Sequence, residues 1–155
     1  MRVGIGYDIH RLEEGTDLIL GGVKFSYKKG LAGHSDADVL IHALIDALLG
    51  AAALGDIGSH FPDDDPEYKN ISSLILLKKT VDLLKNKKYN INNVDLIIIA
   101  EKPKISPHSS KIISTLSKVL QVEEEKVNLK ATTAEGLGFV GEKKGIAAKA
   151  IVSII

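Results

Sequence analysis

One apolar segment constrains the fold more than any other part of the chain. Between Val39 and Leu49 only His42 and Asp46 are polar, and the surrounding pattern predicts a helix from about Asp38 to Ala53. A lone buried histidine is more often a hydrogen-bonded core residue than a metal ligand. His42 and Asp46 are four residues apart and therefore share one helical face, so Asp46 could orient the imidazole, or another metal ligand, as an acceptor.

A second histidine and an aspartate lie near the start of the chain. Arg2 to His10 alternates apolar residues with glycine, Asp8 and His10, which predicts a β-strand. Side chains two apart on a strand point to the same face. Together with His42 they could form an Asp/His/His site, a set that suits zinc with its fourth position left for water or substrate. From the residues alone, a metal site and an ordinary buried histidine both remain open.

The remaining segments predict an alternation of strands and helices. They are a hairpin over Leu18–Phe25 around Gly21-Gly22, a loop over Gly55–Pro66, helices over Ile71–Asn86 and Pro107–Leu120, and strands over Ile91–Glu101, Lys126–Ala131 and Ile146–Ile155. This order favours an α+β fold in which helices pack on one face of a mixed sheet, in a single domain over residues 1–155. The last strand is rich in alanine and aliphatic residues, so it either faces another subunit or is an ordinary two-sided core strand.

Composition excludes several classes of protein. The chain has 155 residues, 45% of them hydrophobic, and 20 basic and 20 acidic side chains. It has no cysteine, so it can form neither a disulfide nor a thiolate metal site. The neutral balance argues against nucleic acid as a partner. The first residues lack signal-peptide features and no apolar run reaches about 18 residues, so we expect a cytoplasmic protein without a membrane partner.

The loop before the apolar helix is the first candidate for a phosphate-binding segment. Ser35, with Asp38 three residues later, resembles a capping box, so Ser35, Asp36 and Asp38 could serve only to cap the helix. Alternatively, His34 lies beside the metal as a hydrogen-bond donor to a phosphate, whose charge the helix N-terminus would favour.

Three further segments are ambiguous in the same way. Ala131 to Glu135 follows a predicted strand and could grip a phosphate, with Glu135 as a hard oxygen ligand for Mg²⁺, but it also reads as a helix N-cap. Ala100 to Lys104 could fold around a base or phosphate, or be a solvated basic turn. Asp63 to Asp65 could hold sugar hydroxyls, or be a solvated acidic loop.

Taken together, these motifs resemble those of the 2-C-methyl-D-erythritol 2,4-cyclodiphosphate synthase family along the whole chain. The segments that carry the resemblance are Gly6–His10, Gly33–Asp38, Asp56–Gly58, Phe61–Pro66 and Ala131–Glu135 followed by Gly138-Phe139. Several separate motifs in the same order are far more specific than any one of them.

The resemblance implies a trimer-forming domain, a homotrimer with active sites between adjacent subunits. It implies Zn²⁺, or another divalent transition metal, at Asp8, His10 and His42, and Mg²⁺ or Mn²⁺ at Glu135 with the substrate phosphates. His34, Thr133 and Glu135 would be catalytic. The implied substrate contacts are Asp8, His10, His34, Ser35, Asp56, Ile57, Gly58, Phe61, Pro62, Asp63, Asp64, Asp65, Ala100, Glu101, Lys102, Pro103, Lys104, Ala131, Thr132, Thr133 and Phe139.

The implied reaction is an intramolecular phosphoryl transfer in the non-mevalonate route to isoprenoids. The 2-phosphate of 4-diphosphocytidyl-2-C-methyl-D-erythritol 2-phosphate attacks the β-phosphorus and CMP leaves. Such a reaction needs positioning and charge neutralisation more than a protein nucleophile. An apolar channel along the trimer axis could also hold an isoprenoid diphosphate.

Four positions depart from the common family pattern, namely Glu101, Lys102, Ala134 and Glu142. An arginine is common at Glu142, and Lys143 or Lys144 could supply its charge. Two other functions remain open: a metal-bearing protein that senses a nucleotide or isoprenoid diphosphate without turnover, and a zinc phosphohydrolase. The cytidine-binding segments favour the cyclase over the hydrolase.

Overall fold

The structure is a computed structural model and describes residues 1–155. Its strands and helices are β1 Arg2–Glu14, β2 Leu18–Leu20, β3 Val23–Phe25, β4 Lys29–Leu31, α1 Val39–Ala52, α2 Ile57–His60, α3 Ser73–Asn86, β5 Ile91–Ile99, α4 Ser109–Leu120, β6 Val127–Thr132, α5 Gly138–Gly141 and β7 Gly145–Ile154. Short 3₁₀ turns lie at Pro66–Tyr68, Ser106–His108 and Glu124–Lys126.

Five strands form one mixed sheet in the order β4-β1-β7-β5-β6. Strand β1 runs antiparallel to β4 and β7, β7 runs antiparallel to β5, and β5 runs parallel to β6. Strands β2 and β3 form the separate hairpin that the Gly21-Gly22 pair predicts. The predicted α+β class with a mixed sheet is confirmed.

Helix α1 lies directly on β1 because two glycines leave no side chain between them. A Cβ atom at Gly4 would lie 2.0 Å from the carbonyl oxygen of Ala47, and one at Gly6 would lie 1.9 Å from that of Ala43. Helix α1 also packs on β7 and α3, and α4 packs on α3 and β6. Helices α1, α3 and α4 therefore cover one face of the sheet, and the apolar side chains of α1 are buried on nearly all sides.

The opposite face of β1 carries its large apolar residues, which the single chain leaves uncovered. Val3 is 62%, Ile5 69% and Tyr7 51% exposed, and Ile151 on the neighbouring strand β7 is 48% exposed. On this face of β7, Gly145 and Ala147 are buried but Lys149 and Ile151 are exposed, so within one chain the two-sided core interpretation holds only for the start of the strand.

Local hydrogen bonds explain where the predicted boundaries differ from the structure. The predicted loop over Gly55–Pro66 contains α2, which Asp56 caps by accepting from the Ser59 amide at 2.9 Å. Asp38 caps α1 as predicted, accepting from Ile41 N at 3.2 Å, but because it is itself the N-cap residue the predicted capping box that begins at Ser35 is wrong. The helix predicted from Pro107 begins at Ser109 after a 3₁₀ turn, and β4 was not predicted.

None of the helices combines the length and the apolar character needed to cross a bilayer.

Candidate active site

Asp8, His10 and His42 converge as the sequence predicts. Asp8 and His10 leave the face of β1 that packs on α1, and His42 leaves α1 toward them. His10 Nε2 lies 2.9 Å from Asp8 Oδ2 and 3.1 Å from His42 Nδ1, and His42 Nδ1 lies 3.1 Å from Asp8 Oδ2. The three ligand atoms thus form a compact triangle suited to one metal ion.

The donor set fits a divalent transition metal. His10 Nδ1 lies 2.6 Å from the carbonyl oxygen of Ala32, which can only accept, so Nδ1 carries the hydrogen and Nε2 presents its lone pair to the cluster. Asp8 Oδ2 also presents a lone pair. Acceptor atoms about 3 Å apart repel one another unless a cation or a proton lies between them. One carboxylate and two imidazoles are the kind of ligands that zinc takes at an open site.

The charges in the cluster compensate one another. Burial disfavours ionised Asp8, but its close contacts with the His10 and His42 imidazoles outweigh that cost and hold the pKa of Asp8 below its ordinary value. Burial alone would lower the pKa of His10, yet its bonds to Asp8 and to the Ala32 carbonyl raise it. A bound cation would displace any proton that the three ligand atoms share.

The cluster opens into a cavity of about 230 Å³. The predicted site residues that line it are Asp8, His10, His34, Ser35, His42, Ile57, Gly58, Phe61 and Asp63. The Nε2 atom of His34 is buried there without a hydrogen-bond partner. Leaving such an atom unpaired costs about 1–3 kcal/mol, so a ligand in the cavity would gain by pairing with it.

Asp46 lines the same cavity but does not orient His42, so that prediction is wrong. Its Oδ1 accepts from the Ile57 amide at 2.7 Å and so ties the start of α2 to α1. Burial raises the pKa of Asp46 against the opposing effect of that hydrogen bond. The hydroxyl groups of Ser35 and Ser73 lie beside His42 Nε2 instead, at 3.0 Å and 3.1 Å.

Four residues of the predicted substrate loop lie outside the lining of this cavity, namely Asp56, Pro62, Asp64 and Asp65. Asp56 caps α2, and its hydrogen bonds with Ser59 lower its pKa. Asp65 caps the next turn by accepting from the Glu67 amide at 2.9 Å. These carboxylates therefore shape the loop in the free chain.

The predicted cytidine segments form a second cavity of about 490 Å³ at the carboxyl ends of β5 and β6. It is lined by Ala100, Glu101, Lys102, Pro103, Lys104, Ile105, Ser106, Ala131, Thr132 and Thr133. Glu101 Oε1 accepts from Ala134 N at 2.9 Å and Gly136 N at 3.4 Å, so it joins the two loops. Thr133 Oγ1 donates to Glu135 Oε1 at 2.8 Å.

The two cavities share no residue within one chain. Asp8 pairs with Ala148, Ala148 with Ile98, and Ile98 with Ala131, which places Ala131 three strands away, or about 14 Å. Glu135 lines neither cavity, and Phe139 lies beside Ile5 and Tyr7. Glu142, one of the departures, forms an ion pair with Lys144.

Sequence reasoning missed Ser73, Tyr68 and Leu76. Tyr68 and Leu76 line the first cavity, and Ser73 contacts His42. Ser73 follows another serine at the start of a helix, and this pattern by itself indicates only helix capping. Its contact with His42 depends on the packing of α3 against α1, for which the sequence carries no local signal.

Comparisons with known proteins agree with this geometry. The YgbB family model matches residues 1–155. The 2-C-methyl-D-erythritol 2,4-cyclodiphosphate synthase of Agathobacter rectalis is 58% identical over 154 residues, covering 99% of this chain and 87% of the relative.

Solved structures show the same fold. The bifunctional IspDF of Campylobacter jejuni matches with a TM-score of 0.95 and 40% identity over 99% of this chain, which spans 42% of that longer protein. A 2C-methyl-D-erythritol-2,4-cyclodiphosphate synthase in its CDP-bound form matches with a TM-score of 0.92 and 35% identity, over 99% of this chain and all of the other.

Proposed function

The chain belongs to the YgbB family, and we propose that it converts 4-diphosphocytidyl-2-C-methyl-D-erythritol 2-phosphate to 2-C-methyl-D-erythritol 2,4-cyclodiphosphate and CMP. The observation that carries this proposal is the match along the entire chain to synthases of that name. The Asp8–His10–His42 cluster supports it, because the cluster opens into a cavity that also contains the unpaired His34. A single catalytic domain would span residues 1–155.

Two groups of residues would bind different parts of the substrate. The first cavity would take the methylerythritol phosphate, with His34 and Ser35 at its phosphate, and the second would take cytidine. Asp8, His10 and His42 would hold Zn²⁺, and Glu135 would hold Mg²⁺ or Mn²⁺ with the phosphates. These ions would supply Lewis-acid neutralisation of the charge that develops on the phosphate oxygens.

The chain's own residues would position the reacting groups. The bond that forms joins an oxygen of the 2-phosphate to the β-phosphorus, and the bond that breaks joins that phosphorus to the oxygen of CMP. Asp46 would hold Ile57 and Gly58 against the substrate, and Glu101 would hold the backbone at Ala134 and Gly136. Because each contact is made in the free chain, little reorganisation is needed on binding.

We place the active site between copies of the chain in a homotrimer. The two cavities of one chain are separate, and Phe139 lies on the exposed apolar face formed by β1 and β7. Contiguous exposed apolar surface of this kind marks association sites. An isoprenoid diphosphate inside such a trimer remains a prediction.

A charge on this face should prevent assembly. Ile5→Glu places a carboxylate where the side chain is 69% exposed in the single chain, so the fold should survive while the trimer dissociates. Light scattering should give a mass near that of one 16.7 kDa chain for the variant and about three times that for the wild type. Ile75→Glu on α3, where the side chain is 49% exposed, is the matched control and should remain trimeric. An assembled Ile5→Glu variant would contradict this placement.

Glu135→Gln should lower turnover without disturbing the first metal site. The amide keeps an oxygen that can accept from Thr133 but loses the charge that favours Mg²⁺. We expect kcat to fall about 100-fold, as for the loss of one strong transition-state interaction. Zinc content per chain should stay at the wild-type level. Unchanged turnover across a Mg²⁺ titration would remove Glu135 from the proposed metal site.

The reaction itself is tested by ³¹P NMR of the protein with the cytidyl substrate, Zn²⁺ and Mg²⁺. CMP together with a coupled pair of cyclic diphosphate resonances is the expected result. CMP with linear phosphates would indicate a hydrolase. An unchanged spectrum with confirmed metal content would favour the binding-protein alternative.

A further inference from the structure

We propose that Ser73 and Asp36 are positioning residues that fix the tautomer and orientation of the His42 imidazole. The inference rests on the metal site of the proposed function and extends it to residues outside the ligand set. It concerns the ring nitrogen of His42 that points away from the cluster.

Ser73 is fully buried, and its hydrogen-bond partners are on other elements. Its hydroxyl donates to Asp36 Oδ1, and its backbone amide donates to Asp36 Oδ2 at 3.0 Å. A carboxylate only accepts, so the direction of both bonds is fixed. The single hydroxyl hydrogen of Ser73 is therefore committed to Asp36.

The commitment of that hydrogen determines the protonation of His42. Ser73 Oγ can then only accept from His42 Nε2, which lies 3.1 Å away, so this hydrogen bond requires Nε2 to carry the hydrogen. Ser35 Oγ lies 3.0 Å from the same nitrogen and can share it. In the neutral imidazole, Nδ1 is then left unprotonated, with its lone pair facing Asp8 Oδ2 and His10 Nε2 at 3.1 Å.

The two histidine ligands are thus oriented by different means. The carbonyl oxygen of Ala32 accepts from the outer nitrogen of His10, while a serine backed by a carboxylate accepts from that of His42. Partners of this kind hold the ring in place and make the ligating nitrogen more basic. They would make the site ready to bind a metal before the metal arrives.

Helix capping does not account for the Ser73 hydroxyl. Ser72 is the N-cap residue of α3, and its side chain makes no capping hydrogen bond. The Ser73 hydroxyl bonds to Asp36 in the preceding loop and to His42 on α1, and to no backbone amide of α3. Its removal should affect His42 more than the helix.

The test compares Ser73→Ala with the matched control Ser72→Ala. Zinc affinity is measured without substrate, by competition with a chromophoric chelator. We expect Ser73→Ala to bind about 10–100-fold more weakly, as for the loss of other outer partners of metal ligands, and Ser72→Ala to stay within about twofold of the wild type. Turnover of Ser73→Ala should recover in excess Zn²⁺, because the three ligands are intact.

A second measurement begins with the wild type, so that its first result does not depend on whether the variant folds. Long-range ¹H–¹⁵N NMR of the metal-free wild type at alkaline pH should show His42 as the Nε2–H tautomer. In Ser73→Ala the Nδ1–H form should gain population. A wild-type Nδ1–H tautomer, or a folded Ser73→Ala variant with wild-type zinc affinity, would overturn the inference. Failure of the wild type to bind zinc at all would instead overturn the proposed metal site.

Discussion

Replacing His42 with alanine is expected to abolish turnover while leaving the chain folded. The substitution removes one of three converging ligand atoms, so the remaining Asp8 and His10 cannot hold a metal with comparable affinity. We expect turnover to fall at least about 1000-fold, equivalent to roughly 4 kcal/mol of transition-state stabilisation. CMP release and the zinc content per chain are the measurements.

The fold should tolerate this change because the histidine contributes little to the packing of α1. Its ring faces the cavity, and alanine is the best helix former. The lost contacts with Ser35 and Ser73 should cost no more than about 2 kcal/mol, since Ser35 lines the cavity and the Ser73 hydroxyl keeps its hydrogen bond to Asp36. Circular dichroism and the urea midpoint check this.

A matched variant separates the metal role from the general loss of an imidazole. His108 packs against Phe25 with ring centroids 4.3 Å apart, outside the cavity of the cluster. His108→Ala should keep its zinc and its turnover. If His42→Ala retained full turnover, the cluster would have no part in catalysis, whatever metal it bound.

The ligand cluster was predictable because two short-range rules place its members. Strand periodicity puts Asp8 and His10 on one face, and a polar residue stands out in an otherwise apolar helix. The glycines at positions 4 and 6 complete the arrangement by allowing β1 to approach α1 closely. The sequence alone does not reveal this role, because a glycine in a strand can equally mark a bulge or a tight bend. The packing of α1 against β1 shows it.

The surroundings of the cluster were less predictable because they depend on tertiary packing. Asp46 was expected to orient His42 on the basis of helical spacing alone, but its carboxylate binds the Ile57 amide of a helix that sequence reasoning missed. Ser73 lies 31 positions from His42 and reaches it only because α3 packs on α1. Spacing rules apply to residues of the same helix or strand. They cannot predict which residue of another helix or strand will be the hydrogen-bond partner.

Alternation along β1 also says which residues share a face but not which face is covered. The side with Val3, Ile5 and Tyr7 would ordinarily be assigned to the core. In the chain the glycine side is covered, because only glycine allows α1 to come so near. The apolar side is left exposed in the single chain, and the alternation alone does not distinguish such a face from one that packs in the core.

Asp38→Ala is expected to cause the largest loss of stability among the substitutions considered. The Asp38 side chain is fully buried and accepts three backbone hydrogen bonds. They come from Gly21 N at 2.9 Å, Gly22 N at 2.7 Å and Ile41 N at 3.2 Å. One carboxylate thereby caps α1 and fixes the turn of the β2–β3 hairpin against it.

Alanine would leave these three amide groups without their partner. Each unpaired buried donor costs about 1–3 kcal/mol, so the free energy of unfolding should fall by at least about 3 kcal/mol. Urea denaturation measures it. Asp82→Ala is the control, because Asp82 forms an exposed ion pair with Lys78 and its loss should change stability by less than about 0.5 kcal/mol. Equal effects of the two substitutions would show that the three hydrogen bonds to Asp38 add nothing to the free energy of unfolding.

The dependence of stability on pH gives an independent measurement at the same residue. Burial raises the pKa of Asp38 to about 6, against the opposing hydrogen bonds of Gly22 and Gly21. The folded chain therefore holds this proton more tightly than the unfolded chain, and the contribution of Asp38 to stability declines as the pH rises from about 4 to about 6. Asp38→Asn has no proton to lose. The stability advantage of the wild type over Asp38→Asn should therefore narrow through that window, and an advantage that widened with rising pH would contradict the raised pKa.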